Sequence, residues 1–277
     1  MTAPRARPGA PRPLAQQLLA PLAADPTRPV LTWYDAGGDQ RVELSGASLV
    51  NAVAKTTGLL VDELGLQPGD RVELALPPHW QLAVWLLATW AASGVPVLGV
   101  ADDRPPTVVV LGPEPGEPAA AAFARGADEV VAVSLHPFGL PFTKPLPPLV
   151  LDHAVAARSH PDQYPTAGLP LGEPALNTAD GTVTGEQLLS LAQLRRPPGG
   201  WQTHDRVLHT GALDTADDVA RALVGPLLAG VGLVWWRNPG AGRLVAVVEA
   251  ERVTVATAPV DGLPPDVRVV SDPPVSS

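Results

Sequence analysis

Residues 176 to 190 read LNTADGTVTGEQLLS, a short polar loop rich in Thr and Gly that runs directly into an apolar helical pattern. Loops of this kind hold phosphate groups, because backbone N–H groups and the positive end of a helix dipole point at the anion. Thr178, Asp180, Gly181, Thr182 and Thr184 are the residues such a nucleotide-binding loop would use here. The cation is missing: the chain has two lysines, Lys55 and Lys144, neither of them near, while Asp180 and Glu186 add negative charge. A helix N-terminus contributes roughly 0.3–1 kcal/mol toward an anion. A like-charge contact at about 4 Å costs on the order of 1 kcal/mol in water and about 4 kcal/mol at an effective dielectric of about 20. Repulsion therefore cancels or exceeds the dipole attraction unless Mg²⁺ intervenes. An ordinary loop capping a helix is the favoured reading.

Other chemistry is weaker still. The histidines are His79, His136, His153, His160, His204 and His209, and none forms H-x-x-x-H or H-E-x-x-H. Asp152-His153 with His160-Pro161-Asp162 is a poor ligand set for a metal, given its spacing and its Pro-rich exit. The absence of cysteine excludes disulfides, thiolate metal sites and cysteine nucleophiles. There is no G-x-S-x-G elbow, and no G-x-G-x-x-G follows a strand. Asp214, Asp217 and Asp218 cluster at a helix start, where complementing the dipole is a better account than holding Mg²⁺. No nucleophile–base pair can be named, so no catalytic residue and no metal are expected.

The chain that positions these groups has 277 residues, 45% of them apolar and 17% charged, a globular composition. Its net charge of −9 leaves no basic face for nucleic acid or for an anionic membrane. Isoleucine is absent and Ala, Pro, Gly, Arg and Val abound, as a GC-rich genome produces, so the 34 prolines carry little weight. The opening MTAPRARPGAPRP has no apolar core of a secretory signal, and residues 1–12 read as a disordered tail, as do 272–277. From Leu74 to Ala101 no charged side chain occurs. Pro77-Pro78 and Ser93-Gly94-Val95-Pro96 cut that run to about 15 helical residues, too short to span a bilayer. A cytoplasmic protein is expected.

Apolar strands alternate with helices along most of the chain. Thr32-Trp33-Tyr34 is β-prone, Ser45 is an N-cap, and Leu49 to Leu64 has mainly helical spacing ending at Gly65. LQPGD turns into the strand RVELALP, followed by an apolar helix over 79–93. Its Trp80, Trp85 and Trp90 are read as core. Strands follow at 95–100, 107–112 and 128–134, with a helix at 119–125. From 137 to 174 prolines are frequent and periodicity fades, so this is a Pro-rich excursion with one short helix at 151–158. Helix 185–194, strand 205–210, helix 214–228, strand 231–236, helix 240–251 and strand 252–258 complete the pattern. The fold class is α/β, a mostly parallel layered sheet with helices on both faces, in one unit over 13–271.

The order of segments LTWYDAGG, VELSGASLVNAVAKTTGLLVDELGLQPGDRVELALPPHWQLAVWLLATWAASGVPVLGV resembles the opening of the adenylate-forming (AMP-binding) enzymes: acyl-CoA synthetases, nonribosomal adenylation domains and luciferases. DRVLHTGALDTADDVARALVGPLLAGVGLVWW and AVVEAERVTVATAP resemble later family segments, so the likeness covers roughly residues 28 to 260. It is similar to short relatives in high-GC bacteria that stop after the N-terminal portion of the large domain. The resemblance implies that ALNTADGTVTGEQLL stands where the family has its phosphate loop, but without the Pro-Lys-Gly element. It also implies that Asp214-Thr215 stands where the family places an aromatic-His pair of the acyl pocket. The expectation is a degenerate relative that does not adenylate by itself and binds ATP or AMP with Mg²⁺, or an acyl group, only weakly. The alternative is a scaffold subunit, with a second copy or a protein partner covering surface that the family's later segments cover.

Overall fold

Between Arg71 and Ala132 each apolar run becomes a strand or the helix that follows it. The structure is a computed structural model and describes residues 11–35, 39–99, 104–165, 168–237, 239–240 and 242–270. Residues 1–10 of the expected tail, and all of 272–277, lie outside the described residues. In chain order the strands are β1 (Pro29–Tyr34), β2 (Arg41–Ser45), β3 (Arg71–Ala75), β4 (Val95–Val97), β5 (Val108–Leu111), β6 (Glu129–Ala132), β7 (Val150–Asp152), β8 (Pro174–Thr178), β9 (Gly181–Thr184), β10 (Arg206–His209), β11 (Gly232–Trp236), β12 (Val255–Ala256) and β13 (Arg268–Val269). The helices are α1 (Leu14–Leu19), α2 (Gly46–Gly58), α3 (Trp80–Ala91), α4 (Gly116–Ala124), α5 (His153–Ala156), α6 (Gly185–Leu194), α7 (Ala216–Val219), α8 (Gly225–Ala229) and α9 (Leu244–Ala250). The sequence predicts one unit over 13–271. Among the described residues, contacts group the chain into two compact units, one from residues up to 17 with 50–185 and the other from 18–49 with 186 onward.

The first unit holds a seven-stranded sheet in the order β7-β6-β5-β3-β4-β8-β9, parallel except for the β8–β9 pair. The crossover from β3 through α3 leads to one side, and that from β5 through α4 leads to the other. Right-handed crossovers then put α3 and α4 on opposite faces. Helix α3 is buried from Gln81 to Ala91, with Trp85 and Trp90 fully enclosed. Each such side chain contributes about 1.5–3 kcal/mol through apolar burial. Trp90 resolves its one polar group by donating Nε1–H to the carbonyl of Ala175 at 2.5 Å. Trp80 sits at the rim and donates to the Pro137 carbonyl at 3.0 Å. On the other face α4 lays Ala119 and Ala122 against Val109, Leu111, Val130 and Ala132.

Local rules hold at the helix ends. Ser45 accepts the Ser48 N–H at 3.2 Å, the cap expected before α2. Gly65 follows with φ +66°, and Gly69 with φ +87° completes the Pro68-Gly69 turn into β3. Among the described residues no helix is long and apolar enough to cross a membrane. The uncharged run from Leu74 contains the 12-residue α3 and the strand β4.

The second unit holds a six-stranded sheet in the order β13-β12-β10-β11-β1-β2, parallel except for the β1–β2 hairpin. Tyr34, Leu208, Val234, Trp236, Leu244, Val247 and Val253 form its core on one side. The helix expected over 214–228 is α7, a π-type stretch over 220–224, and α8, ending at Gly230 with φ +67°.

Four expectations are corrected. The 137–174 excursion contains β7, an edge strand that pairs with β6, ahead of the short helix α5. The final strand of 252–258 shrinks to Val255–Ala256, because Arg252 takes φ +52° and breaks extended backbone there. The helix expected from 240 begins at Leu244. The loop at 177–185 is a strand, a tight turn and a second strand.

Candidate functional site

Strand β8 ends at Thr178 and β9 begins at Gly181, so only Ala179 and Asp180 connect them. Thr178 pairs with Gly181, Asn177 with Thr182, and Leu176 with Val183. Gly181 has φ +117°, a conformation that needs glycine. The turn is closed by its own side chain. Thr178, 2% exposed, accepts the Asp180 N–H at 3.3 Å and donates its hydroxyl toward the Gly181 carbonyl at 3.4 Å. A phosphate nest needs successive N–H groups turned outward. Here the Asp180 N–H turns inward.

Beyond the turn, Asp180, Gly181 and Thr182 are exposed, and Thr184 precedes the first residue of α6. Gly185 donates its N–H to the Glu173 carbonyl at 3.3 Å, so this N–H of the helix start is already used. Glu186 occupies the first turn of α6, where it complements the dipole an anionic ligand would otherwise meet. The donors and charges at this hairpin therefore do not fit a triphosphate with its Mg²⁺.

Asp214 and Thr215 lie in the second unit. Asp214 is exposed. Thr215 is the N-cap of α7 in a reciprocal capping box: its Oγ1 accepts the Asp218 N–H at 3.1 Å, and its own N–H reaches Asp218 Oδ2 at 3.2 Å. Asp217 forms ion pairs with Arg195 and Arg221. Asp218 is thus used in capping and Asp217 in ion pairs.

Among the described residues no group of three or more His, Asp or Glu is placed to hold a metal ion. Asp152 caps α5 and accepts the Phe142 N–H at 2.8 Å. His153 is buried against Trp85 with Nε2 3.0 Å from Thr56 Oγ1, and burial lowers its pKa to about 4 despite the nearby Asp152 carboxylate. His160 pairs with Glu63 at 3.2 Å, and Lys55 with Asp162 at 2.9 Å.

Two groups had no expected role. His209, at the carboxyl end of β10, is 4% exposed, with Nδ1 2.9 Å from Thr257 Oγ1 and Nε2 3.0 Å from the Ala212 carbonyl. Burial lowers its pKa. Its position after a parallel strand was the available signal. Glu251 is 6% exposed and receives Tyr34 Oη at 2.6 Å, Arg41 Nε at 2.6 Å and an Arg206 guanidinium nitrogen at 2.6 Å. Burial pushes its pKa up, but the hydrogen bonds from Arg41 and Tyr34 and the charges of Arg206 and Arg41 outweigh it and leave it lowered. Tyr34 is pushed up to about 12 by burial and by Glu251. No sequence spacing links these four residues.

No family model matches the chain. A Mycobacterium tuberculosis (strain ATCC 25618 / H37Rv) protein described as a TIGR03089 family protein is 37% identical over 247 residues, 88% of this chain and 98% of that protein. Three solved structures share the fold, each matched over 88% of this chain. They are the acetoacetyl-CoA synthetase from Streptomyces lividans (20% identity, TM-score 0.71), the Brucella canis acyl-CoA synthetase (16%, 0.73) and the anthranilate CoA ligase AuaEII in complex with anthranoyl-AMP (14%, 0.71). The chain spans 42%, 47% and 49% of those chains, less than half of each. By its likeness to the mycobacterial protein the chain belongs to the TIGR03089 family, and its fold is that of the N-terminal domain of the adenylate-forming enzymes.

Proposed function

We propose that this chain uses the adenylate-forming fold without performing adenylation by itself, and that it holds no nucleoside triphosphate at the 177–185 hairpin. The support is the two-residue connection whose Asp180 N–H is taken by Thr178. Negative charge at Asp180 and Glu186, with no lysine in the segment, points the same way. The carboxyl ends of parallel strands remain where folds of this class take ligands. Residual weak affinity for AMP or an acyl group is therefore part of this reading. The test is radiolabelled pyrophosphate exchange with a panel of carboxylic acids, alongside calorimetric titration with ATP·Mg²⁺ and AMP. Exchange stays at the protein-free background, and ATP·Mg²⁺ gives no saturable heat at millimolar concentration. Acid-dependent exchange, or micromolar ATP affinity, would sink the proposal.

A second reading, an interaction subunit, is favoured by the β6–β7 connection. It holds Phe138 77% exposed and Leu149 80% exposed, the latter at φ +66°. Exposed apolar side chains on ordered backbone suit a protein contact. Analytical sedimentation tests this: self-association or a co-purifying partner supports it, and a clean monomer that recruits nothing counts against it.

A further inference from the structure

Among the described residues, exposed large apolar side chains concentrate in one stretch: Phe138, Leu140, Leu149 and Val155, against Leu194 and Val245 elsewhere. Most of that stretch carries the chain from β6 into β7, and its backbone is tied down. Ser134 donates its hydroxyl to the Leu140 carbonyl at 2.6 Å, and the Phe142 N–H reaches Asp152 at 2.8 Å. Phe142 and Leu146 pack against the core that α4 shares with β5, β6 and β7.

Beyond Phe142 the residues run Thr143-Lys144-Pro145-Leu146-Pro147-Pro148-Leu149. Proline fixes φ at about −65°, and a residue before proline is driven to extended or polyproline II backbone. From Lys144 to Pro148 every residue is a proline or stands before one, so this run is held as polyproline II without internal hydrogen bonds. Prolines abound throughout the chain; what sets these apart is their placement. About three residues make a turn of such a helix, so Pro145 and Pro148 share an edge. Both are exposed, while Leu146 and Pro147 are partly covered. A tight turn ends the run: Val150 donates its N–H to the Pro147 carbonyl at 3.2 Å, and Leu149 takes φ +66° where such turns favour glycine. A large apolar side chain thus occupies an exposed turn tip.

A cleft of about 320 Å³ lies between this run and the turn after β5, walled by Pro113 and Pro115 on one side and by Phe142, Pro145 and Pro147 on the other. Proline rings in a polyproline II run pack on aromatic side chains. Lys144 lines the same cleft, exposed and with no ion pair or hydrogen bond among the described residues. Glu114, across from it, is exposed too and does not pair with it. The cleft therefore offers an ammonium for a carboxylate and an acceptor for an indole N–H or phenol O–H.

We propose that Lys144–Leu149 and the cleft beside it dock a partner protein that presents a tryptophan or tyrosine side chain next to a carboxylate. The ring packs on the prolines, and the carboxylate meets Lys144. The inference rests on the interaction-subunit reading above and names its site and the chemistry of the partner. An anionic membrane is the poorer occupant, because such surfaces hold clusters of about four to eight cations and this run has one lysine.

The test is selection of a random-peptide phage library on the immobilised full chain, followed by calorimetric titration with the synthetic consensus peptide. Selected peptides carry Trp or Tyr together with Asp or Glu. Lys144→Glu and Pro145→Ala each weaken binding by about fivefold or more, the first through lost charge pairing and the second through a looser backbone. Leu194→Ser, which removes exposed apolar surface on α6, leaves binding within about twofold. Circular dichroism melts verify that each variant is folded. The proposal is overturned if no peptide is enriched over the bare support, if the selected peptides lack an aromatic residue, if either variant of the run binds as well as wild type, or if Leu194→Ser weakens binding equally. Self-association in sedimentation that both run variants abolish would make a second copy the occupant. Co-sedimentation with phosphatidylserine vesicles that Lys144→Glu abolishes would make it a membrane. Either result overturns the proposal. A protein that co-purifies alike with wild type and with both run variants removes this site while leaving the interaction reading intact.

Discussion

The Thr178 hydroxyl and the Asp180 N–H face each other at 3.3 Å inside the β8–β9 hairpin, so a donor that a phosphate loop would present to its ligand is satisfied by the loop itself. Thr178→Val removes this bond and the contact to Gly181 while keeping the side chain's shape. A net cost of about 1 kcal/mol is expected, read as a lower urea midpoint at unchanged slope. The ATP·Mg²⁺ titration stays flat in the variant, because freeing one N–H supplies no cation.

Glu251 is a buried carboxylate of the second unit that pairs with both Arg41 and Arg206. Glu251→Gln leaves the partly buried Arg206 without its counter-ion, whereas Arg41 lies nearer solvent and is screened. Breaking a pair of this kind costs about 3 kcal/mol, measured by urea denaturation. Because the folded pKa of Glu251 lies below its unfolded value, its contribution is present above the unfolded pKa and is lost as pH falls through the folded one. The variant therefore loses its deficit relative to wild type in strongly acidic buffer.

His79 and His153 act on a different pH window. Burial lowers them to about 3 and about 4. Above pH ~6.5 both are neutral in either state, so stability is full there. Below that, the unfolded chain takes up protons that the folded chain refuses, and stability declines as pH falls toward 4 and below. Each histidine adds a slope of up to about 1.4 kcal/mol per pH unit. Thermal melts at pH 5 lie below those at pH 7, and His153→Gln flattens the dependence. Proton NMR of the two imidazoles shows no titration between pH 7 and pH 5; a shift there refutes the assignment.

Leu149 is held at φ +66° with its side chain 80% exposed, so it carries left-handed strain with little burial in return. Leu149→Gly relieves the strain at the expense of unfolded-state entropy. A net gain of about 0.5–1 kcal/mol is expected, seen as a raised melting temperature. Destabilisation instead would mean that the exposed side chain packs on something in solution.

The βαβ rhythm was legible because parallel strands buried on both faces must be apolar throughout: TVVVLG and DEVVAVS have no other use. Ser45, Gly65 and Thr215 were legible because caps depend on neighbours in sequence. The β8–β9 hairpin was not, since Thr-Ala-Asp-Gly-Thr has the composition of an open loop and only pairing reveals two strands. Strand β2 was hidden for a similar reason, its RVELS alternation running straight into the cap of α2. That Arg71, Asn177 and Thr182 share a face was invisible, because it follows only from registers linking strands about a hundred residues apart. Of the hairpin's candidate residues, Thr178 closes the turn and Thr182 is exposed on β9.

The shortness of that hairpin has an evolutionary corollary. Wrapping a triphosphate takes a run of consecutive outward amides, and a connection of two residues is too short to supply one. No point mutation at Ala179 or Asp180 can therefore recreate such a cradle; extra codons must be inserted between Thr178 and Gly181. Libraries of inserted loops, rather than saturation mutagenesis, are the way to ask whether this scaffold can be taught to grip ATP.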